Sequence, residues 1–335
     1  MKRLLIVLGM LAVAATAVAG LSVRWADARL DRPYLAADAA VDVEIVTGMT
    51  ARRLSTVLAT AGVIAAARDL VWWLWWTERA ADVQAGEYRF DGPVSVREVA
   101  DVITEGRVRL YPVTLPEGST RWQAAVAIAS AGFGIEEDAL LATARIDWIS
   151  DLDPEAADLE GYLFPETYMV PRSASPEAIV KLMVDAFRAA WTPARTERAT
   201  ELGWTIRQAI TLASLIEAET PSAPERTIVS AVFHNRLERG MLLQTDPTVL
   251  YARRVAGKDG RTIYMSDLQR DSPYNTYLYA GLPVGPIGSP REASIEAALY
   301  PAESGYLYFV SRNDGTHAFS STLREHNDFV NQYQR

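Results

Sequence analysis

The run Thr205-Ile206-Arg207-Gln208-Ala209-Ile210-Thr211-Leu212-Ala213-Ser214-Leu215-Ile216-Glu217-Ala218-Glu219-Thr220 reads as a helix with a carboxylate on its apolar side. At about 100° per residue, Ile206, Ala209, Ile210, Ala213 and Ile216 share one face, and Glu217 falls about 20° from Ile206 on the same wheel. Glu219 lies at the edge of that stripe, while Arg207, Thr211 and Ala218 point elsewhere. An acid against apolar neighbours loses hydration when ionised, which raises its pKa and lets it hold a proton near neutral pH. The plain alternative is a helix-end Glu that bonds a loop amide or pairs with an arginine.

Outward from this helix, the order of elements indicates an α+β chain. Val41-Asp42-Val43-Glu44-Ile45 alternates with period two, as a half-buried strand does. Gly48 turns the chain, and Thr50 is placed to cap a helix with Leu54, Val57 and Leu58. A second helix carries Trp72, Trp73, Trp75 and Trp76, and Ala85–Phe90 returns as a strand. The Trp cluster reads either as a thick helical face in a core or as a surface for lipid headgroups or sugar rings. Ser95 caps a further helix, ended by Gly106, and a strand follows over Val108–Leu115. Beyond about Trp122, helices alternate with loops rich in Pro, Tyr, Asn and Gly. They include a Glu225–Leu237 helix stopped by Gly240, and Tyr306–Val310 reads as a late strand.

Lys2 and Arg3 precede an uncharged, mostly apolar run from Leu4 to Val23, ended by Arg24. About twenty such residues suffice to span a bilayer, and the leading positive charge places the start in the cytoplasm. A cleaved signal peptide ending near Ala17-Val18-Ala19 is the competing reading. In either case the rest of the chain is exported. The expected organisation is an anchor over residues 1–24, a tether over 25–40, a βααβ module over 41–112 and a mixed α+β catalytic domain over 113–335.

Composition removes several chemistries. With 335 residues and a net charge of -9, the chain lacks the basic footprint of a nucleic-acid binder. It has no cysteine, so thiolate nucleophiles, disulfides and Cys-based metal sites are excluded. There is no Gly-x-Ser-x-Gly elbow, Ser-x-x-Lys pair, His-Glu-x-x-His run or Gly-rich phosphate cradle. The histidines His234, His317 and His326 are scattered, and no cofactor or metal is expected. What survives is carboxylate acid–base chemistry among Tyr, Asn, Gln and Thr, side chains suited to sugars. Hydrolytic glycosidases need two carboxylates. Glu219, Asp246 and Glu166 are the candidates for a second, and none matches Glu217 in helical placement. A lytic cleavage, in which a hydroxyl of the substrate replaces water, needs only one.

Several ordered motifs carry a family resemblance. They are Glu160-Gly161-Tyr162-Leu163-Phe164-Pro165-Glu166-Thr167-Tyr168, Ala213–Thr220, Phe233-His234-Asn235-Arg236-Leu237 and Leu243-Gln244-Thr245-Asp246-Pro247-Thr248-Val249-Leu250-Tyr251. Ser272-Pro273-Tyr274-Asn275-Thr276-Tyr277, Gly281-Leu282-Pro283-Val284-Gly285-Pro286-Ile287 and Tyr306–Val310 complete the set. Together they resemble the YceG-like endolytic murein transglycosylases (MltG) along nearly the whole chain. Val284 and His234 depart from the usual pattern, the first where a second Pro is common.

The resemblance implies a single-pass inner-membrane protein facing the periplasm, with a LysM-like module before the catalytic domain. The strand–helix–helix–strand order of residues 41 to 90 agrees with such a module. It also implies cleavage of nascent peptidoglycan strands beside synthases and penicillin-binding proteins. Glu217 is then the expected acid, with Gln244, Thr245, Asp246, Tyr251, Tyr274, Asn275 and Tyr277 holding the sugar. Asp246 either steadies the transition-state charge or, more simply, caps the helix that Pro247 begins. Glu166 belongs to the glycan groove or ties its own loop to backbone amides. The Gly281–Gly288 loop reads first as a rigid turn. A non-catalytic glycan-binding scaffold and a hydrolytic muramidase remain the rival functions.

Overall fold

In a computed structural model of the chain, residues 2–143, 145–258, 260 and 262–334 are described, apart from the side chains of residues 2–9, 11, 12, 14, 15, 19 and 143. The chain divides into two compact units, Met1–Tyr111 with Pro171–Ser173, and Pro112–Val170 with Ala174–Arg335. It is a mixed α+β fold of helices and small two-stranded sheets.

In the first unit, Ala40–Ile45 and Gly86–Asp91 pair antiparallel, from Ala40 opposite Asp91 to Ile45 opposite Gly86. The helices Ala51–Thr60 and Ala67–Trp76 lie between them in sequence, giving a βααβ order. Val43 and Ile45 of the first strand and Tyr88 and Phe90 of the second point inward, as period two requires. They pack with Leu54, Leu58, Leu70, Leu74, Val99 and Ile103. Thr50 accepts from the Arg53 amide at 3.3 Å, and Ser95 closes a capping box with Glu98.

Two expectations change here. The stretch read as a tether is packed: Leu30 and Leu35 are buried, and the Tyr34 amide donates to the Val94 carbonyl at 3.1 Å. The Trp-bearing helix buries Leu70 and Leu74, which leaves Trp72, Trp75 and Trp76 exposed on its outer side. Trp73 packs partly against the core, so the core reading holds for one ring of the four and the other three lie at the surface. Lys2–Leu30 forms one helix. The apolar run Leu4–Val23 falls largely on side chains outside the described residues, and among the described residues no helix is long and apolar enough to cross a membrane.

The second unit is built around the Ile206–Glu219 helix. Thr205 and Gln208 form its capping box, and every residue from Ala209 to Glu217 is buried. Helices Pro193–Glu201, Arg226–Glu238, Asp246–Val255 and Glu292–Leu299 pack against it. A helix enclosed in this way has no single apolar face. The Gly281–Gly288 segment behaves as a rigid turn. Val284 offers its carbonyl to Arg207 Nε at 2.8 Å, and the Ile287 amide donates to Ser214 Oγ at 3.1 Å. Pro286 of this turn presses on Gly161, where an added Cβ would meet it at 2.6 Å at a φ of +85°. Only glycine meets both demands, which explains the Glu160-Gly161 pair.

The Phe233–Leu237 motif ties this helical core to the late strands. Tyr308–Ser311 pairs antiparallel with His317–Ser320, a partner strand that the sequence reading did not supply. Asn235 Nδ2 donates to the carbonyls of Ser304 and Tyr306, and Arg236 Nε to that of Leu307 at 2.6 Å. His234 stacks on Trp204, with ring centroids 4.6 Å apart, and its Nε2 lies 2.9 Å from the Ala298 carbonyl. This departure from the family pattern is structural.

Candidate active site

The two acids at the end of the Ile206–Glu219 helix have opposite surroundings. Glu217 Oε1 meets Arg291 Nε at 2.9 Å and Nη2 at 2.7 Å. Its Oε2 accepts from the Arg291 amide at 3.1 Å and from Ser294 Oγ at 2.8 Å. Arg291 sits at the cap of the Glu292–Leu299 helix, so Glu217 satisfies a helix N-terminus as well as a guanidinium. Both of its carboxylate oxygens are occupied by these donors. The groups around the Glu217 carboxylate are thus Arg291 and Ser294, where apolar neighbours were expected. The plain alternative, a helix-end Glu paired with an arginine, describes this residue.

Glu219 has the properties that Glu217 lacks. It lines a pocket of about 360 Å³ together with Arg236, Leu243, Gln244, Asp246 and Tyr277, and with Tyr308, Phe309, Leu323 and His326 of the C-terminal segment. Burial pushes its carboxyl up to about 7, and the negative charge of Asp246 adds to that rise. The hydrogen bond donated by Thr245 Oγ1 and the charge of Arg236 oppose it. The Arg236 guanidinium is committed to the carbonyls of Leu307, Leu242 and Leu243. It therefore contributes charge without forming an ion pair to Glu219.

The neighbouring loops position this acid. Gln244 adopts a left-handed φ of 49°, unusual for a residue with a side chain, and its amide donates to the Thr276 carbonyl at 3.1 Å. Thr276 Oγ1 accepts from the Thr245 amide at 3.1 Å and lies 2.9 Å from Thr248 Oγ1. These bonds fix the Thr245 hydroxyl on Glu219. Thr245 takes the cap position of the Asp246–Val255 helix, so Asp246 is not the cap. Its Oδ1 instead accepts from the Tyr277 hydroxyl at 2.6 Å, and that phenol is pushed up by burial and by Asp246.

Of the expected sugar-holding residues, the pocket gathers Gln244, Asp246 and Tyr277, with Thr245 bonded to its acid. The others lie elsewhere. Asn275 is buried, with Nδ2 on the carbonyls of Leu268 and Arg270 and Oδ1 on the Tyr277 amide, so it folds its own loop. Tyr251 is buried against Trp122 and Tyr274, and its hydroxyl donates to Glu160 Oε2 at 2.9 Å. The Glu166 side chain is exposed, and its carbonyl accepts from the Leu115 amide at 2.9 Å.

Replacing Thr245 with Val removes the donor that lowers the Glu219 pKa. The alkaline limb of activity is then expected to move upward by a measurable fraction of a pH unit, with turnover reduced by about tenfold or less. A pH–rate profile of Thr245→Val checks this. Glu160 gives a second pH effect, on stability. Burial pushes its carboxyl up to about 8, helped by Asp158 and opposed by Tyr251 and Arg121. A folded-state pKa above the unfolded value means that its contribution is complete below about 4.5 and is lost as pH rises through about 8. Denaturant titrations at several pH values are expected to show that decline, and Glu160→Gln is expected to flatten it.

Among the described residues the pocket is lined by two carboxyls, Glu219 and Asp246, the second bonded to Tyr277. The chain matches the YceG-like family over residues 43–332 and belongs to that family. It is 32% identical over 309 residues to the endolytic murein transglycosylase of Bacillus subtilis (strain 168), covering 88% of this chain and 84% of the relative. It is 28% identical over 327 residues to the endolytic murein transglycosylase of Streptococcus pneumoniae serotype 2, covering 88% of this chain and 58% of the relative. The crystal structure of a yceG-like protein from Listeria monocytogenes superposes with a TM-score of 0.59 at 32% identity, over 86% of this chain and 98% of that one.

Proposed function

We infer that this chain is an endolytic murein transglycosylase, a lyase that cuts peptidoglycan glycan strands, with Glu219 as its proton donor. The observation that carries the role of Glu219 is its place on the pocket with its carboxyl pushed up to about 7 by burial, beside a Glu217 bonded to Arg291 and Ser294. Protonated Glu219 gives its proton to the oxygen between N-acetylmuramic acid and N-acetylglucosamine. The C1–O bond breaks through an oxocarbenium-like transition state, with positive charge growing on the muramic C1. Glu219, now a carboxylate, takes the proton of the C6 hydroxyl as that oxygen closes on C1. The products are a 1,6-anhydro end and a free 4-hydroxyl, and no water is consumed. Asp246, held by Tyr277, adds negative charge near the developing cation. Gln244 and Tyr277 offer an amide and a phenol to the sugar hydroxyls.

The same reading makes the βααβ unit a LysM-like module that binds glycan. It makes Leu4–Val23 a single-pass inner-membrane anchor, with the catalytic unit in the periplasm. A protein so placed acts on nascent strands beside peptidoglycan synthases and penicillin-binding proteins. Mass spectrometry of uncrosslinked glycan after incubation with the full chain tests the reaction. Anhydro ends are expected. Reducing ends identify a muramidase, and intact strands a scaffold, either of which overturns the reading.

A further inference from the structure

The helix Ala67–Trp76 carries a row of aromatic rings that its own core does not use. Trp75 is 70% exposed, Trp76 63% and Trp72 41%, while Leu70 and Leu74 of the same helix are fully buried. Trp72 and Trp76 stack with centroids 5.7 Å apart and planes 15° from parallel, so the exposed face is pre-formed. Solvated indole surface of this extent on one helix marks an interaction site.

The helix from Lys2 to Leu30 brings a second set of apolar groups to the same place. Its last turns are fixed to this unit: Arg29 Nε is 2.9 Å from Asp69, Arg97 pairs with Asp27, and Leu30 is buried. Val18, Leu21 and Trp25 then line, with Trp72 and Arg68, one open groove of about 920 Å³. Trp25 is 65% exposed and stands about 8 Å before Leu30 along the helix axis. The uncharged run ends at Arg24, one residue before it. Where an apolar helix leaves a bilayer, tryptophans and arginines settle at the headgroup level. Docking the Trp-bearing helix on the turns just beyond Trp25 brings its rings to that level. Arg52 and Arg68 flank Trp72 and Trp75, and the Arg68 side chain is 77% exposed. Guanidinium groups beside exposed indoles match anionic headgroups in both charge and polarity.

We propose that Trp72, Trp75 and Trp76, with Trp25, Arg52 and Arg68, form a face that lies on the anionic headgroups of the bilayer holding the N-terminal helix. This rests on the reading of Leu4–Val23 as an anchor. The face presses the βααβ unit against the membrane surface instead of leaving it on a free tether. The packing of Leu30 and Leu35, where a tether was expected, gives such a short link.

The absence of cysteine in the chain allows single-site labelling. Full-length Trp75→Cys, Glu105→Cys and Val13→Cys are each spin-labelled in phosphatidylglycerol–phosphatidylethanolamine vesicles. Relative collision with oxygen and with a water-soluble nickel chelate then reports depth. The expected result is a Trp75 label at headgroup depth, a Glu105 label in water and a Val13 label in the acyl region. A Trp75 label as accessible to nickel as that at Glu105, with Val13 buried, overturns the lipid face and leaves the anchor intact. A Val13 label in water overturns the anchor and the face together. If glycan strands shield the Trp75 label in detergent while vesicles do not, the face is a sugar platform and the proposal fails.

Discussion

Glu219→Gln is expected to lower cleavage of uncrosslinked glycan by at least about a thousandfold, the scale on which a positioned general acid acts. Gln keeps the size of the side chain and its acceptor for the Thr245 hydroxyl, but it has no proton to give to a glycosidic oxygen. Strand binding, measured by co-sedimentation with the uncleaved polymer, is expected to persist. Stability above pH 7 is expected to hold or rise, because the variant removes a carboxylate that burial makes costly to ionise. Retained turnover in this variant would return the search for the acid to Asp246.

The second large effect falls on stability. Glu217→Gln takes from the Arg291 guanidinium its buried charged partner and leaves it only the exposed Glu117 carboxylate at 3.7 Å, and a broken buried pair typically costs about 3 kcal/mol or more. The Glu217 side chain is only 3% exposed and Arg291 about a third, so solvent recovers part of that loss on the arginine side alone. For a unit of this size the melting temperature should drop by roughly 10 °C. The folded fraction, assayed well below the transition, should cleave within about tenfold of the native rate. Arg291→Met is expected to destabilise through the same contact. A Glu217→Gln protein that melts like the native chain but is inactive would reverse the roles of the two acids.

Much of the fold was legible in local chemistry. The alternation of Val41, Val43 and Ile45 set the first strand, and Thr50, Ser95 and Thr205 marked helix starts that the structure caps with those side chains. The Gly281–Gly288 turn was legible for a similar reason, since its glycines and prolines act over a few residues. The site was legible as a region but not as a residue. A helical wheel ranks positions by an apolar face, and the Ile206–Glu219 helix is enclosed on all sides from Ala209 to Glu217. What separates Glu217 from Glu219 is long-range. Arg291 and Ser294 arrive more than seventy residues later to bond one. Thr245 and the pocket formed with the C-terminal strands isolate the other.

The Trp helix taught the same lesson in reverse. Leu70 and Leu74, four residues apart, are what this helix buries in the core, with Trp73 packed partly against it. Trp72, Trp75 and Trp76 stayed outside. Tyr251, Tyr274 and Asn275 looked like sugar ligands by composition, but they satisfy Glu160, each other and their own loop. Tyr308 and His326 also reach the pocket; the first lies in the Tyr306–Val310 motif but was read only as a strand residue, and the second lies outside every motif.

The most direct test is a carbon-13 titration of the glutamate carboxyls in the full chain, with Glu219→Gln used to assign the resonance of interest, set beside the pH–rate profile. The expected result is a Glu219 carboxyl that titrates near 7, together with an alkaline fall in activity at the same pH. A Glu219 resonance that titrates in the ordinary carboxylate range, with activity continuing unchanged above it, would contradict the assignment.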